Sequence, residues 1–274
     1  MFGRHVPTRV TVRVACWLAA LSVSCGADPG ATLPLGDPAA ASLAGTAGSP
    51  TGGAPAAGVG GAPSPLGTPR CQPPVGMNGS PQTIEAAVSL LNALPKPTSA
   101  ACFVQSLDRP LTVYAANSPI SAQPARSARS PRVFIKLERL WVSVVVDGDS
   151  SYLLEFSHLE PDGLRSVKGE VLTPLTEPLA LSAPYDRIHY AGGTVCGVCH
   201  SNEQPALDTS LSGAFASTPY RPRPETRVAW DALLTERQLC DWSIEPHRCE
   251  MLSALFDGGA TEEQPFPDTM ETFY

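Results

Sequence analysis

Clustered charge is one of the features that this sequence lacks. Of its 274 residues, 19 are Lys or Arg and 26 are Asp or Glu, which gives a formal net charge of −7. A protein that neutralises nucleic-acid phosphates needs a patch of basic side chains, and the sequence contains no cluster of Lys or Arg. The composition therefore argues against nucleic acid as a partner.

Motifs of hydrolytic enzymes are also missing from the middle of the chain. Residues 102–190 contain no arrangement of Ser, His and Asp and no paired carboxylates that would suggest hydrolysis. His158 and His189 occur singly there, and a lone histidine in a strand is more often structural than catalytic. The sequence therefore favours a protein that is not an enzyme of this class.

Long hydrophobic runs are absent as well. The longest apolar stretch near the start, VACWLAALSVS, has about 11 residues, whereas a transmembrane helix needs about 20. It follows a basic segment that carries Arg4, Arg9 and Arg13 and no acidic residue. This order predicts an export signal over residues 1–24 and a location in the cell envelope or periplasm.

The signal ends at a cysteine with small neighbours. Ser24 and Gly26 flank Cys25, and this arrangement resembles a bacterial lipoprotein cleavage site, at which Cys25 would become the lipidated first residue. Such sites usually have an aliphatic residue where this chain has Ser22. Ordinary signal cleavage nearby is the alternative. The resemblance implies attachment to a membrane by a lipid anchor only.

A segment of small residues separates Cys25 from the rest of the chain. Residues 26–70 are almost entirely Gly, Ala, Pro, Ser and Thr, without an aromatic residue and with Asp28, Asp37 and Arg70 as the only charges. This composition cannot bury enough apolar surface to offset the entropy of the chain. Residues 25–70 are therefore predicted to comprise the anchor cysteine and a disordered tether.

Six cysteines remain after the signal and the anchor. Cys71 and Cys102 bracket one predicted helix, and Cys240 and Cys249 bracket a short turn between two others. Disulfides are common in exported proteins, so we expect these two pairs to be bonded. That pairing leaves Cys196 and Cys199 available for other chemistry.

The remaining residues predict an α+β fold with two segments. A helix follows Ser80 as its cap, and the apolar runs FVQSL, LTVYAA, RVFIKL, LWVSVVV, YLLEF, VKGEVL and DRIHY read as seven strands. Residues 71–190 are therefore predicted to form a helix plus an antiparallel, β-sandwich-like domain. In residues 191–274 the stretches ETRVAWDALLTERQL and PHRCEMLSALFDGG predict a mainly helical segment.

The stretch GGTVCGVCHSNE contains Cys196, Cys199 and His200 in the order C-x-x-C-H. Covalent haem attachment needs two sulfurs that reach neighbouring positions on the porphyrin rim and an imidazole next to the second sulfur. This order meets those needs within about one helical turn. The pattern therefore predicts a site for one covalently bound haem.

Two other readings of the same residues remain open. Zinc requires four ligands, and Cys240, His247 and Cys249 could supply a second close group. A disulfide or redox pair between Cys196 and Cys199 is the other reading, although no βαβ pattern surrounds the motif as in thioredoxin-like proteins.

Because they contain this motif in a chain with a predicted export signal, residues 191–274 resemble the c-type cytochromes. The resemblance implies thioether bonds at Cys196 and Cys199 and His200 as the proximal iron ligand. Small cytochromes commonly supply a methionine from a downstream loop after proline, and PFPDTMETF places Met270 in such a context. Met251, His247, His189 or an open position are the alternatives for the sixth ligand.

The sequence has no second C-x-x-C-H motif, so a multihaem conduit is not expected. The resemblance implies a tethered monohaem protein that carries single electrons to or from a redox partner protein. The competing class is a non-enzymatic envelope protein that binds a partner or a surface, in which Cys196 and Cys199 form a structural disulfide.

Overall fold

The computed structural model describes residues 71–121, 123–125, 127–207, 209 and 211–273. The predicted signal, the anchor Cys25 and the tether lie outside these residues. The helices in the described part are α1 (Ile84–Ala93), α2 (Ala100–Gln105), α3 (Ala183–Ile188), α4 (Trp230–Gln238) and α5 (Pro246–Phe256). None of the helices in this part of the chain is long and apolar enough to cross a membrane.

The described strands form one large sheet and one small ribbon. The strands are β1 (Leu111–Ala116), β2 (Arg132–Leu137), β3 (Leu140–Val145), β4 (Leu153–Leu159), β5 (Ser166–Leu172), β6 (His189–Tyr190), β7 (Gly193–Thr194), β8 (Gln204–Pro205), β9 (Phe215–Ser217) and β10 (Thr261–Glu263). The large sheet has the order β10-β1-β2-β3-β4-β5-β9-β8, and β6 pairs with β7. All pairs are antiparallel except β1 with β10. The fold is therefore α+β.

One face of the large sheet, here called the inner face, packs against the helices. Directly opposite residues of neighbouring strands share a face, and one such row consists of Val113, Ile135, Val142, Phe156 and Gly169. The Phe156 ring makes an edge contact with Phe103 of α2 at 6.0 Å between centroids. Helices thus cover the face for which a second sheet was predicted, and the described strands do not form two packed sheets.

The opposite face, here called the outer face, carries polar and aromatic side chains. Register places two rows of side chains across strands β2 to β5 on it. One row is Phe134, Ser143, Glu155 and Glu170, and the other is Lys136, Trp141, Ser157 and Lys168. The same strands therefore build a hydrophobic core on one side and a polar surface on the other.

Several sequence predictions need correction at the strand ends. FVQSL lies largely in α2, because the side chain of Ser99 accepts a hydrogen bond from the Cys102 amide and begins a helix there. DRIHY ends α3 and continues into β6 rather than forming one strand. Helix α1 is capped by Thr83 and not by Ser80, whose hydroxyl donates to Asp108.

Other predictions are confirmed. Five of the apolar runs that were predicted as strands form β1 to β5, and the two helices predicted in residues 191–274 are α4 and α5. Disulfides join Cys71 to Cys102 and Cys240 to Cys249. By contrast, the prediction that residues 191–274 are mainly helical is not confirmed. Helices α4 and α5 contain 9 and 11 of these residues, and strands β8, β9 and β10 of the same segment lie at the edges of the large sheet.

Candidate functional site

The C-x-x-C-H motif lies on one tight turn after β7. A 3-10 helix spans Val195–Val198, and Cys199 follows it as the capping residue. The carbonyl of Cys196 accepts hydrogen bonds from the amides of Cys199, at 3.1 Å, and His200, at 2.8 Å. This turn holds the three motif residues on the wall of one cleft.

Glu203 closes the loop that contains this turn. Its carboxylate accepts hydrogen bonds from the amide of Thr194, at 2.9 Å, and from the Thr194 hydroxyl. The Thr194 hydroxyl oxygen in turn accepts from the amide of Gly197 at 3.3 Å. A Cβ atom added at Gly197 would lie 2.6 Å from Glu203 Oε1, so a larger residue between the two cysteines would displace the carboxylate that closes the loop.

The cleft lies between the outer face of the sheet and three loop segments, residues 195–200, 219–222 and 266–273. The space within it, including open solvent at its mouth, is about 1230 Å³. We call one part of its lining the aromatic wall, which consists of Phe134, Trp141, Tyr220, Phe266 and Phe273. We call another part the polar floor, which consists of Arg132, Ser143, Glu155, Ser157 and Lys168.

Ring contacts order the aromatic wall. Trp141 and Phe266 stack with centroids 4.5 Å apart and planes 10° apart, and Phe134 meets Phe266 edge-on at 5.2 Å. The ring of Tyr220 stacks on the imidazole of His200 at 5.2 Å. The motif histidine is therefore continuous with the aromatic lining of the cleft.

His200 is held in one orientation and one tautomer. Its Nδ1 lies 2.8 Å from the carbonyl oxygen of Thr218. A carbonyl oxygen only accepts, so Nδ1 carries the proton and Nε2 keeps its lone pair. Burial, together with the nearby charge of Lys168, lowers the pKa of His200 to about 4, and the ring is neutral at pH 7. A neutral imidazole with one nitrogen bonded to a carbonyl is the usual form of a metal ligand.

The two motif cysteines are not bonded to each other, and they differ in exposure. Cys199 is exposed and Cys196 is half-buried. Burial raises the pKa of the Cys196 thiol to about 12, so it is protonated at neutral pH. A protonated thiol is a poor nucleophile for disulfide exchange.

Of the four residues considered for a sixth ligand, Met270 lines the same cleft as His200. It is partly buried beside Tyr114, Trp141 and Phe266. Met251 is 3% exposed in the core on α5.

The two histidines considered with Met270 lie elsewhere. His189 and His247 are exposed and do not line the cleft. The structure therefore brings one of the four candidates together with the motif.

The residues considered for zinc do not form a ligand set with the motif. Within the described part of the chain, three donor atoms converge to within 4.8 Å of one another at Cys240, Glu245 and Cys249. The two sulfurs of this group are bonded to each other in a disulfide. Cys196, Cys199 and His200 are not part of it.

The polar floor is the part of the site that sequence reasoning missed. Arg132 forms a short ion pair with Glu155 and donates to Ser143. Lys168 is 7% exposed and donates to Ser157 and Ser166. The sequence feature that could have revealed it is the alternation of charged with apolar residues in β2, β4 and β5, which indicates a second, polar face.

The chain was compared with protein-family models, characterised proteins and solved structures, and none of them matches it.

Proposed function

We propose that this chain is a monohaem c-type protein that carries single electrons in the cell envelope. Cys196 and Cys199 would hold one haem through thioether bonds, and His200 would bind its iron. The single observation that carries this proposal is the setting of His200. Its Nδ1 is fixed by the Thr218 carbonyl, and its neutral ring lines a cleft that Cys196, Cys199 and Met270 also line.

The residues present fit such a group. Flat aromatic side chains offer an apolar surface to a porphyrin, and cysteines three residues apart on one turn supply the two sulfurs. Haem, when bound, supplies an iron centre that changes its oxidation state by one electron. Zinc would require donors that converge on one point, whereas thioether sulfurs attach at separate positions on a porphyrin rim.

The chain's own residues have distinct parts in this proposal. The Thr218 carbonyl orients His200, and Tyr220 packs flat against its ring and restricts its rotation. Met270 offers a thioether sulfur on the wall of the same cleft. A methionine ligand raises the reduction potential relative to a second histidine. The aromatic wall offers apolar rings that would exclude water from the part of a bound haem that they contact.

The location and the partner belong to the same proposal. An exported chain attached through Cys25 would hold the folded part near a membrane by its tether, where a redox partner protein would exchange electrons with it. Electron transfer of this kind needs no catalytic acid or base in the cleft.

The test is the mass and the spectrum of the protein made in cells with haem-attachment machinery. We expect the mature chain to gain the mass of one haem and to show a sharp α-band after reduction with dithionite. His200→Ala should lose the normal iron spectrum, whereas the matched control His189→Ala, at an exposed position outside the cleft, should keep it. A colourless, iron-free wild-type protein from such cells would refute the proposal.

Met270 is tested separately. Met270→Leu should alter the spectrum of the oxidised protein if the sulfur binds iron, and Met77→Leu, outside the cleft, should not. An unchanged spectrum in the Met270 variant removes that ligand and leaves the assignment of His200 intact.

The competing hypothesis, an envelope binding protein, makes a different prediction for Cys196 and Cys199. It requires a disulfide between Cys196 and Cys199, whereas the structure has both as free thiols. Alkylation of the haem-free chain after unfolding in urea without reductant should modify these two cysteines under our proposal and neither under the alternative.

A further inference from the structure

The ammonium group of Lys168 is the least compensated charge in the cleft lining. Lys168 lies on the outer face in β5, opposite Ser157 of β4, and is 7% exposed. Its Nζ donates to Ser157 Oγ at 3.2 Å and to Ser166 Oγ. Among the described residues, no carboxylate lies within 4.0 Å of this nitrogen. Both of its partners are neutral hydroxyls.

The two carboxylates on the outer face of β4 and β5 are already paired with other cations. Glu155 pairs with Arg132, and Glu170 lies 3.5 Å from Arg187. Burial lowers the pKa of Lys168 to about 8, although the acidic groups of Cys196 and Glu155 act in the opposite direction. Charges inside proteins are normally paired, because leaving one alone is costly. The cleft therefore presents a buried cation that lacks its counterion.

The surroundings of Lys168 define the shape of a matching ligand. The aromatic wall begins at Trp141, which lies directly across from Ser157 in the same row of the outer face. Ser157 accepts its hydrogen bond from Lys168, so its own hydroxyl hydrogen can be donated to a ligand. A matching ligand therefore has an anionic acceptor that contacts the polar floor and a flat apolar body that packs against the aromatic wall.

We propose that the cleft binds a flat, apolar ligand through a carboxylate that pairs with Lys168 and accepts a hydrogen bond from Ser157. The propionate groups of a porphyrin have this chemistry, and a free aromatic carboxylic acid shares it. For the porphyrin, the inference rests on the proposed function, because it assigns one anchor of the haem. For a free aromatic acid, the inference does not rest on the proposed function.

The experiment uses metal-free porphyrin, so that neither iron ligation nor thioether formation contributes to binding. The full chain is made in cells without haem-attachment machinery and titrated with protoporphyrin IX, its dimethyl ester and 1-naphthoic acid, with tryptophan fluorescence and calorimetry as readouts. We expect the free acid of the porphyrin to bind about tenfold or more tightly than the ester, as charge-assisted hydrogen bonds provide.

Variants test whether Lys168 causes the preference for the free acid over the ester. Lys168→Met should reduce the ratio of acid to ester affinity to about one, whereas Lys168→Arg should keep a preference for the acid. The matched control is Lys136→Met, because Lys136 occupies the same row of the outer face but does not line the cleft. It should bind like the wild type. Thermal unfolding verifies that each variant is folded, and the comparison of acid with ester in the wild type does not depend on any variant.

The outcomes separate this inference from the proposed function. Equal binding of acid and ester by the wild type, or an acid preference that survives in a folded Lys168→Met variant, would overturn it. Binding of naphthoate that depends on Lys168, without binding of porphyrin, would support the carboxylate site and count against haem. Binding of porphyrin that depends on Lys168 would support both.

Discussion

The two faces of the large sheet differ in what their side chains do, although the same four strands build both. Residues of the inner face, such as Ile135, Val142 and Phe156, are fully or almost fully buried against helices. Residues of the outer face include ions, hydroxyls and aromatic rings around an open cleft. One face stabilises the fold by apolar burial, and the other carries groups whose burial is costly unless a ligand or an ion pair compensates them.

The two faces of the sheet also differ in the cysteines that lie on their sides. Cys102 lies in α2, which packs through Phe103 on the inner face, while Cys249 lies in α5. Both bonds therefore stabilise the helical layer. The two unbonded cysteines, Cys196 and Cys199, lie on the side of the outer face, where the proposed function requires free thiols.

The largest effect is expected from the disulfide with the longer loop. Cys71 and Cys102 are 31 residues apart, whereas Cys240 and Cys249 are 9 apart. Replacing the first pair by serines should cost about 4 kcal/mol in the free energy of unfolding, and replacing the second about 3 kcal/mol, because a longer closed loop restricts the unfolded chain more. Urea unfolding of both variants measures this. A larger loss from the short loop would contradict the argument.

Truncation on the inner face should have the next largest effect. Leu154 of β4 is fully buried, and Leu154→Ala should lower the free energy of unfolding by about 3 kcal/mol because it leaves a cavity. The matched control, Leu172→Ala in β5, removes a side chain that is 43% exposed and should cost under about 1 kcal/mol. Equal losses would show that the core does not lie where the structure has it.

On the outer face, stability should depend on pH through Lys168. Burial lowers the pKa of this lysine to about 8 in the folded chain from an ordinary value of 10.5. Between these values the unfolded chain holds a proton that the folded chain has lost, so folding is favoured more as the pH rises. Relative to Lys168→Met, the haem-free wild type should gain about 3 kcal/mol from pH 8 to pH 10.5.

Urea unfolding of the two proteins at a series of pH values measures that gain. The same pair is also measured in a Cys196→Ser background, because the raised pKa of Cys196 makes folding less favourable at high pH and the charge of Lys168 acts on that pKa. A difference that stays flat from pH 8 to pH 10.5 would mean that the ammonium is hydrated in the folded state.

The smallest effect is expected at the clasp that holds the motif turn. Glu203→Gln removes the acceptor for the Thr194 hydroxyl and should destabilise the turn by about 1 kcal/mol. Faster hydrogen exchange at the Thr194 amide and a lower yield of haem attachment are the expected results. Glu225→Gln, at an exposed position outside the cleft, is the control. Unchanged exchange at Thr194 would show that Glu203 does not hold the turn.

Short-range features of this chain could be predicted well from its sequence. The apolar periodicity of β1 to β5, α4 and α5 indicated the correct element, because it reflects which side each residue presents to a core. Cysteines that bracket one predicted helix and one short turn indicated two disulfides. Errors arose where a local hydrogen bond or long-range packing determined the structure. Ser99, for example, caps a helix that extends into the run FVQSL, which reads as a strand.

The sequence by itself determined that Cys196, Cys199 and His200 lie on one turn, because four or five neighbouring residues fix that geometry through their own backbone. Only the tertiary structure decided what faces them. The Thr218 carbonyl contacts His200, and Met270 and Lys168 line the same cleft as the motif, at separations of 18 to 70 residues that no local pattern specifies. They depend on how the loops close over the outer face, which is set by the packing of the whole chain.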